Sequence, residues 1–309
     1  MADRLQPILS LLDSGLSLYR RNFVPFALIA AASIVPIAIA AGALVAAAPW
    51  LDELQVTLLV LGAVLLLLPL LLYLIGALSR AAALAAAGER VRLREALAIG
   101  PGRLAGMGCF SVIYMILMQF VSSVLSIVCI CPLWLFGAAA SGLFAVIGPD
   151  SAVGLGVLTL FGVMFGTVYL LALIVGGASY SSMVYALQPW VQERLPFGKA
   201  LERSLALIGY RFWRNVAAWA LSALLLAAGG LTVTLAIGVL VPLPMTLALG
   251  SDSPLAQAIS LSAWLLGMIV VLPPLPIWMA LLYRSNAEAR AGGDLEARVQ
   301  AWAREAAGS

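Results

Sequence analysis

The chain alternates between long apolar runs and short charged intervals. Six runs, at about residues 23–48, 54–78, 104–131, 152–185, 216–241 and 255–283, carry no charged side chain and are long enough to cross a bilayer as helices. A second pattern precedes the first run. Ile8, Leu12, Leu16, Tyr19 and Phe23 are spaced 4, 4, 3 and 4 apart, which is one helix face, with Ser10, Asp13 and Ser14 off it. Phe197, Leu201, Leu205, Ile208 and Phe212 repeat the same spacing before the fifth run. On that second segment Lys199, Glu202 and Arg203 fall on the polar side, where they can pair at i, i+3. Both stripes predict helices lying in a membrane surface.

The intervals also repeat. Glu89-Arg90-Val91-x-Leu93-x-x-Ala96-Leu97 matches Glu193-Arg194-Leu195-x-Phe197-x-x-Ala200-Leu201, and each copy separates two apolar runs. The fold expected is all-α, a single polytopic membrane domain over residues 1–309. It comprises six transmembrane helices in three parallel hairpin repeats, each preceded by an in-plane amphipathic helix. The repeat units are about 5–87, 88–192 and 193–284, followed by a tail, 285–309, in which Asp294 is a helix N-cap and Leu295, Val299 and Trp302 form another stripe.

Several breakers refine this outline. Gly88 is a helix C-cap candidate, and Gly100-Pro101-Gly102 cuts the first surface helix short. Residues 104–147 are too long for one span and too short for two plus a turn. Pro132 is therefore expected to end span 3, leaving 132–147 as an outer-leaflet or re-entrant element before Gly148-Pro149-Asp150. Leu272-Pro273-Pro274-Leu275-Pro276 should interrupt the sixth span.

Composition removes the soluble alternative. Hydrophobic residues make up 63% of the chain and charged residues 10%, against about 25% charged in soluble domains. The charges then orient the spans. All 17 Lys and Arg lie before the first run, in the two matched hinges, or in the tail, whereas Asp52, Glu53, Asp150 and Asp252 occupy the other connections without a base. By the positive-inside rule the basic intervals and both termini are cytoplasmic. Arg20-Arg21-Asn22-Phe23-Val24 looks like a twin-arginine signal, but the following run is too long for a signal peptide's apolar region and five more spans follow.

Candidate chemistry is sparse. Histidine is absent, which removes the commonest general base and metal ligand. Cys109, Cys129 and Cys131 share one apolar stretch and make neither a zinc nor a disulfide framework, so no cofactor is expected. No span core contains Asp, Glu, Lys or Arg, and Gln119 is the lone amide at depth. Gly162-x-x-x-Gly166 is a candidate for close helix approach. The residues left for a function are basic ones at the ends of surface helices. Arg20, Arg21, Lys199, Arg203, Arg211 and Arg214 are candidate contacts for anionic lipid headgroups.

One family resemblance adds to this. Gly15-Leu16-Ser17-Leu18-Tyr19-Arg20-Arg21-Asn22-Phe23, followed by a span containing Pro36, resembles the opening of the glycerophosphoryl diester phosphodiesterase membrane-domain family. Ala200-Leu201, Arg211-Phe212-Trp213-Arg214, Leu282-Tyr283-Arg284 and Gly293-Asp294-Leu295-Glu296 look similar to its later repeats. In some members that region is fused to a catalytic barrel with paired histidines; this chain has neither the extra length nor a histidine. The resemblance implies a bacterial inner-membrane protein without the enzymatic half, and transfers no functional residue.

The expected function is a non-catalytic scaffold or accessory subunit of the bacterial inner membrane. It would contact anionic lipid or a partner protein, and no nucleic acid, through its basic cytoplasmic hinges. The rival expectation is a permease or small-solute channel using the proline-broken sixth span, with a polar path near Gln119 and Pro273.

Overall fold

A computed structural model describes residues 2–147, 151–250, 253–292, 295, 299 and 302. The helices in order are α1 (Ala2–Arg21), α2 (Phe23–Ala47), α3 (Glu53–Ala86), α4 (Leu93–Ala96), α5 (Pro101–Ile147) and α6 (Ala152–Ala186). They continue with α7 (Phe197–Gly209), α8 (Phe212–Leu240), α9 (Pro242–Leu249), α10 (Pro254–Val271) and α11 (Pro274–Arg290). A 3-10 turn, Ala48–Trp50, follows α2, and a π-helical turn, Pro189–Glu193, follows α6. There is no strand among the described residues.

Six stretches are long and apolar enough to cross a membrane: Phe23–Trp50, Glu53–Ala86, Pro101–Phe120, Val153–Glu193, Phe212–Leu249 and Pro254–Arg290. The chain is a multi-pass membrane protein. Going round the molecule, α2 packs on α3, α3 on α5, α5 on α6, α6 on α8, α8 on α10, and α10 returns to α2. The ring closes on small residues. A Cβ on Gly177 of α6 would lie 2.7 Å from the Cβ of Ala223 on α8. At the closing seam Ser262 of α10 donates to the Ala38 carbonyl of α2 at 3.2 Å, beside Gly42. The Gly162-x-x-x-Gly166 pair is not one of these contacts, because a Cβ on either meets nothing within 4 Å.

The largest buried side chains gather at one end of the ring. The later parts of α3 and α6 meet the early parts of α5, α8 and α11 there, joined by α1 and α7. Leu72, Met107, Leu187, Leu207, Trp219 and Tyr283 all belong to this cluster. Away from it, Leu58 and Leu65 of α3, Leu155 and Leu160 of α6, and Leu231 and Leu235 of α8 are exposed. Lipid is the solvent these side chains suit.

Local chemistry explains most boundaries. Asp52 and Gln55 form a capping box at the start of α3. Gly88, at φ +79°, ends it in a Schellman arrangement: the Glu89 N–H donates to Leu84 O and the Gly88 N–H to Ala85 O. Pro273 and Pro274 separate α10 from α11 as their missing N–H groups require. Across that break, α1 runs antiparallel along α11 and reaches the end of α10. Trp278 Nε1 donates to Leu12 O at 3.0 Å and the Tyr19 hydroxyl to Val270 O at 2.9 Å. Gly15 permits this approach, since a Cβ there would fall 2.5 Å from Trp278 Cδ1.

Two expectations change. Pro132 does not break the third span; α5 runs unbroken for 47 residues, about 70 Å against a hydrocarbon core of about 30 Å. A single missing N–H is tolerated in a membrane helix because neighbouring groups can satisfy the freed carbonyl. The segment 132–147 is therefore helix rather than a re-entrant element. On α7 the buried positions are Ala200, Ser204 and Leu207, while Phe197 and Leu205 are exposed. Phe23, at the end of the first stripe, is exposed as well. Asp294, Asp150 and Asp252 lie outside the described residues.

Candidate functional site

Beneath the basic hinges, polar side chains tie the helices together. Asn215, at the start of α8, is fully buried, and its amide donates to the carbonyls of Leu207, Ile208 and Tyr210 at 3.2, 3.3 and 2.9 Å. These are the last carbonyls of α7, which lack acceptor roles inside the helix. Asn286 of α11 donates to Asn215 Oδ1 at 2.7 Å and to the Tyr185 hydroxyl of α6 at 3.0 Å. Gln188 donates to Ser79 at 3.0 Å, joining the π-helical turn region to α3. The Tyr283 hydroxyl and Arg203 both donate to Glu193 Oε1, at 2.5 and 3.4 Å. Burial acts to lower the Arg203 pKa, but the Glu193 carboxylate and the Tyr283 hydroxyl outweigh it and hold it above its ordinary value.

Beside this network, the two matched hinges enclose a cavity of about 760 Å³. Arg80 of α3, Arg103 of α5 and Arg194 of the second hinge line it, together with Gly100, Gly102, Trp190 and Phe197. Arg80 donates to Ala98 O at 2.6 Å. Arg103 and Arg194 both act repulsively on Arg80, and Glu95 is the opposing carboxylate. Glu95 itself pairs with Arg92 at 3.4 Å. Among the described residues, the Arg103 and Arg194 side chains have neither a hydrogen bond nor an ion pair. Trp190 is buried, and its indole N–H likewise lacks an acceptor.

Deeper along α3, α5 and α6 lies a groove of about 350 Å³. Leu68, Leu72, Ile75, Met115, Met118 and Met183 give it a mostly apolar lining, with Ser111, Tyr114, Gln119, Ser179 and Tyr180 as its polar points. Tyr114 also bonds to Ser182, joining α5 to α6. Ser111 Oγ is buried without a partner. Phe110 stands between cavity and groove, its ring 5.0 Å from Trp190 and 5.6 Å from Tyr114.

The six basic candidates divide into two groups. Arg20, Arg21, Lys199 and Arg211 are exposed. Arg203 is drawn back to Glu193 instead of pairing along its own helix, and Arg214 Nη2 donates to Ser285 at 3.4 Å. Arg211 lies over the Tyr210 ring at 5.3 Å and adopts φ +53°. Arg80, Arg103 and Arg194 were visible in sequence as hinge charges, and nothing in their spacing signals that they share a cavity. Gln188, Asn215 and Asn286 carried a weaker signal, as amides placed at the ends of apolar runs.

No family model, curated protein or solved structure matches the chain.

Proposed function

We propose that the chain is a non-catalytic scaffold of the bacterial inner membrane, made of three parallel repeat units, that engages anionic lipid through its basic cytoplasmic hinges. One observation carries this reading. Each exposed basic candidate stands next to exposed apolar side chains: Arg20 and Arg21 beside Phe23 and Val24, Lys199 on the helix of Phe197 and Leu205, and Arg211 beside Phe212 and Trp213. Apolar side chains with flanking arginines suit the headgroup boundary, where each cation near an anionic surface contributes about 1 kcal/mol. The closed ring and the convergence of both matched hinges on the buried end support the repeat organisation and the one-sided topology.

The permease reading draws less support. Gln119 lines the groove between α3, α5 and α6, whereas Pro273 is buried beside the start of α11 and lines neither cavity nor groove.

The test replaces Arg20, Arg21, Lys199 and Arg211 with Gln and measures the ratio of anionic to zwitterionic lipid co-extracted with the protein in polymer nanodiscs. The wild type should be enriched in anionic lipid, and the variant should fall towards the bulk ratio. An unchanged enrichment refutes the reading.

A further inference from the structure

We propose that the cavity between the matched hinges is the headgroup site for one phosphate-bearing lipid, with its acyl chain in the groove beneath. This deepens the lipid-contact reading above and rests on it, but it involves different residues.

Three guanidinium groups, Arg80, Arg103 and Arg194, face one cavity, and two of them have no internal partner. Mutual repulsion at such a site is relieved by an anion, and the planar fork of arginine matches phosphate oxygens better than a point charge does. The Trp190 indole N–H is buried and lacks an acceptor, and it lies in the wall beside Gly106, where a Cβ would come within 3.3 Å of it. Leaving a buried donor without an acceptor is costly unless a ligand supplies one. The wall also includes Gly102, in the first turn of α5, where a backbone N–H has no acceptor within its own helix.

The groove selects a lipid over a soluble phosphate. It continues along the elements that build the cavity: Ile75 is five residues from Arg80 on α3, and Ser111 five residues from Gly106 on α5. Five residues of helix rise about 7.5 Å, the scale separating a lipid phosphate from the start of its chains. Cavity and groove both open to the outside. A molecule filling both therefore passes over the Phe110–Trp190 pair, and its apolar part is held between helices that face the bilayer.

The full chain in phosphatidylcholine nanodiscs doped with phosphatidic acid tests this, with native mass spectrometry reading the lipid retained. One phosphatidic acid should remain bound to the wild type. The double variant Arg103→Gln, Arg194→Asn should weaken it about 30-fold; Asn suits the left-handed backbone at residue 194, φ +55°. Gly102→Leu should do the same with every charge kept, since a Cβ there meets nothing within 4 Å and the side chain would enter the cavity. Met118→Trp, which fills the groove, should weaken the lipid but not inorganic phosphate. Retention by both cavity variants within threefold of wild type overturns the proposal. If Met118→Trp has no effect while inorganic phosphate displaces the lipid, the ligand is a soluble phosphate and the lipid assignment fails. The surface variant lacking Arg20, Arg21, Lys199 and Arg211 should keep the bound lipid. If it alone loses that lipid, the surface reading stands and the cavity does not.

Discussion

Replacing Asn215 with Ala should cost about 3 kcal/mol of stability, and the figure follows from the bonds removed. The Asn215 amide faces three carbonyls, of Leu207, Ile208 and Tyr210, but an NH₂ group has two hydrogens and so makes two good bonds. Its Oδ1 accepts a third from Asn286 at 2.7 Å. At about 1 kcal/mol net for each, the loss is about 3 kcal/mol. Asn286→Ala removes the bonds to Asn215 and Tyr185, or about 2 kcal/mol. The Asn215–Asn286 bond is common to both, so the double variant should lose about 4 kcal/mol rather than 5, a coupling of about 1 kcal/mol. Unfolding free energies in mixed micelles of increasing denaturing detergent would supply all four corners of the cycle. A single-site cost below 1 kcal/mol, or strictly additive losses, would show that these amides do not hold α7, α8 and α11 together.

Two further outcomes follow from the packing. Gly177→Val should lower stability by about 1–3 kcal/mol, because the Ala223 Cβ 2.7 Å away sits on backbone that must itself move; Gly162→Ala and Gly166→Ala should leave thermal stability in detergent unchanged, as both face open space. Burial pushes the Tyr19 hydroxyl up to about 12 from an ordinary value of 10.0, so the docking of α1 should be intact below pH 10 and lost as the pH rises through 12. Hydrogen exchange of α1 across that window should show the loss, and Tyr19→Phe should remove this residue's share of it.

The six spans were legible because each is an uninterrupted apolar run bounded by charge, and lipid imposes that pattern directly. Gly88 and the Pro273–Pro274 break were legible because a backbone rule acts on a single residue. What could not be read is where a choice depends on a neighbour. Pro132 had the local signature of a helix end, yet α5 continues through it. The α7 stripe announced a helix but not its orientation, because periodicity marks an apolar face without saying which of its residues the rest of the protein covers. Ala200, Ser204 and Leu207 are buried against the protein, Leu205 stays exposed, and Phe197, also exposed, lines the arginine cavity with its ring 5.8 Å from that of Trp190. Small residues showed that helices approach closely, but only the fold distinguishes Gly177 from Gly162. The arginine cavity was the least legible feature, since Arg80, Arg103 and Arg194 meet only when the two hinges fold against one another.

These observations connect through the placement of polar groups. An amide buried in hydrocarbon must find every partner within the protein, and the chain puts its buried amides at the ring's closed end instead. Gln188, Asn215 and Asn286 can there reach helix-terminal carbonyls and hydroxyls. The cost is that, away from the α2–α10 seam, leucines of α3, α6 and α8 stay exposed towards the opposite end. Helices in lipid gain nothing from hydrophobic association there and depend on packing alone. The contact between α3 and α5 is the thinnest in the ring, and the groove opens along it. A lipid chain seated in that groove would substitute for the missing side-chain contacts, and its phosphate would reach the cavity lined by Arg80, Arg103 and Arg194. A lipid held in the proposed site would be a structural element of the ring, and the hinge arginines would be the means of selecting it.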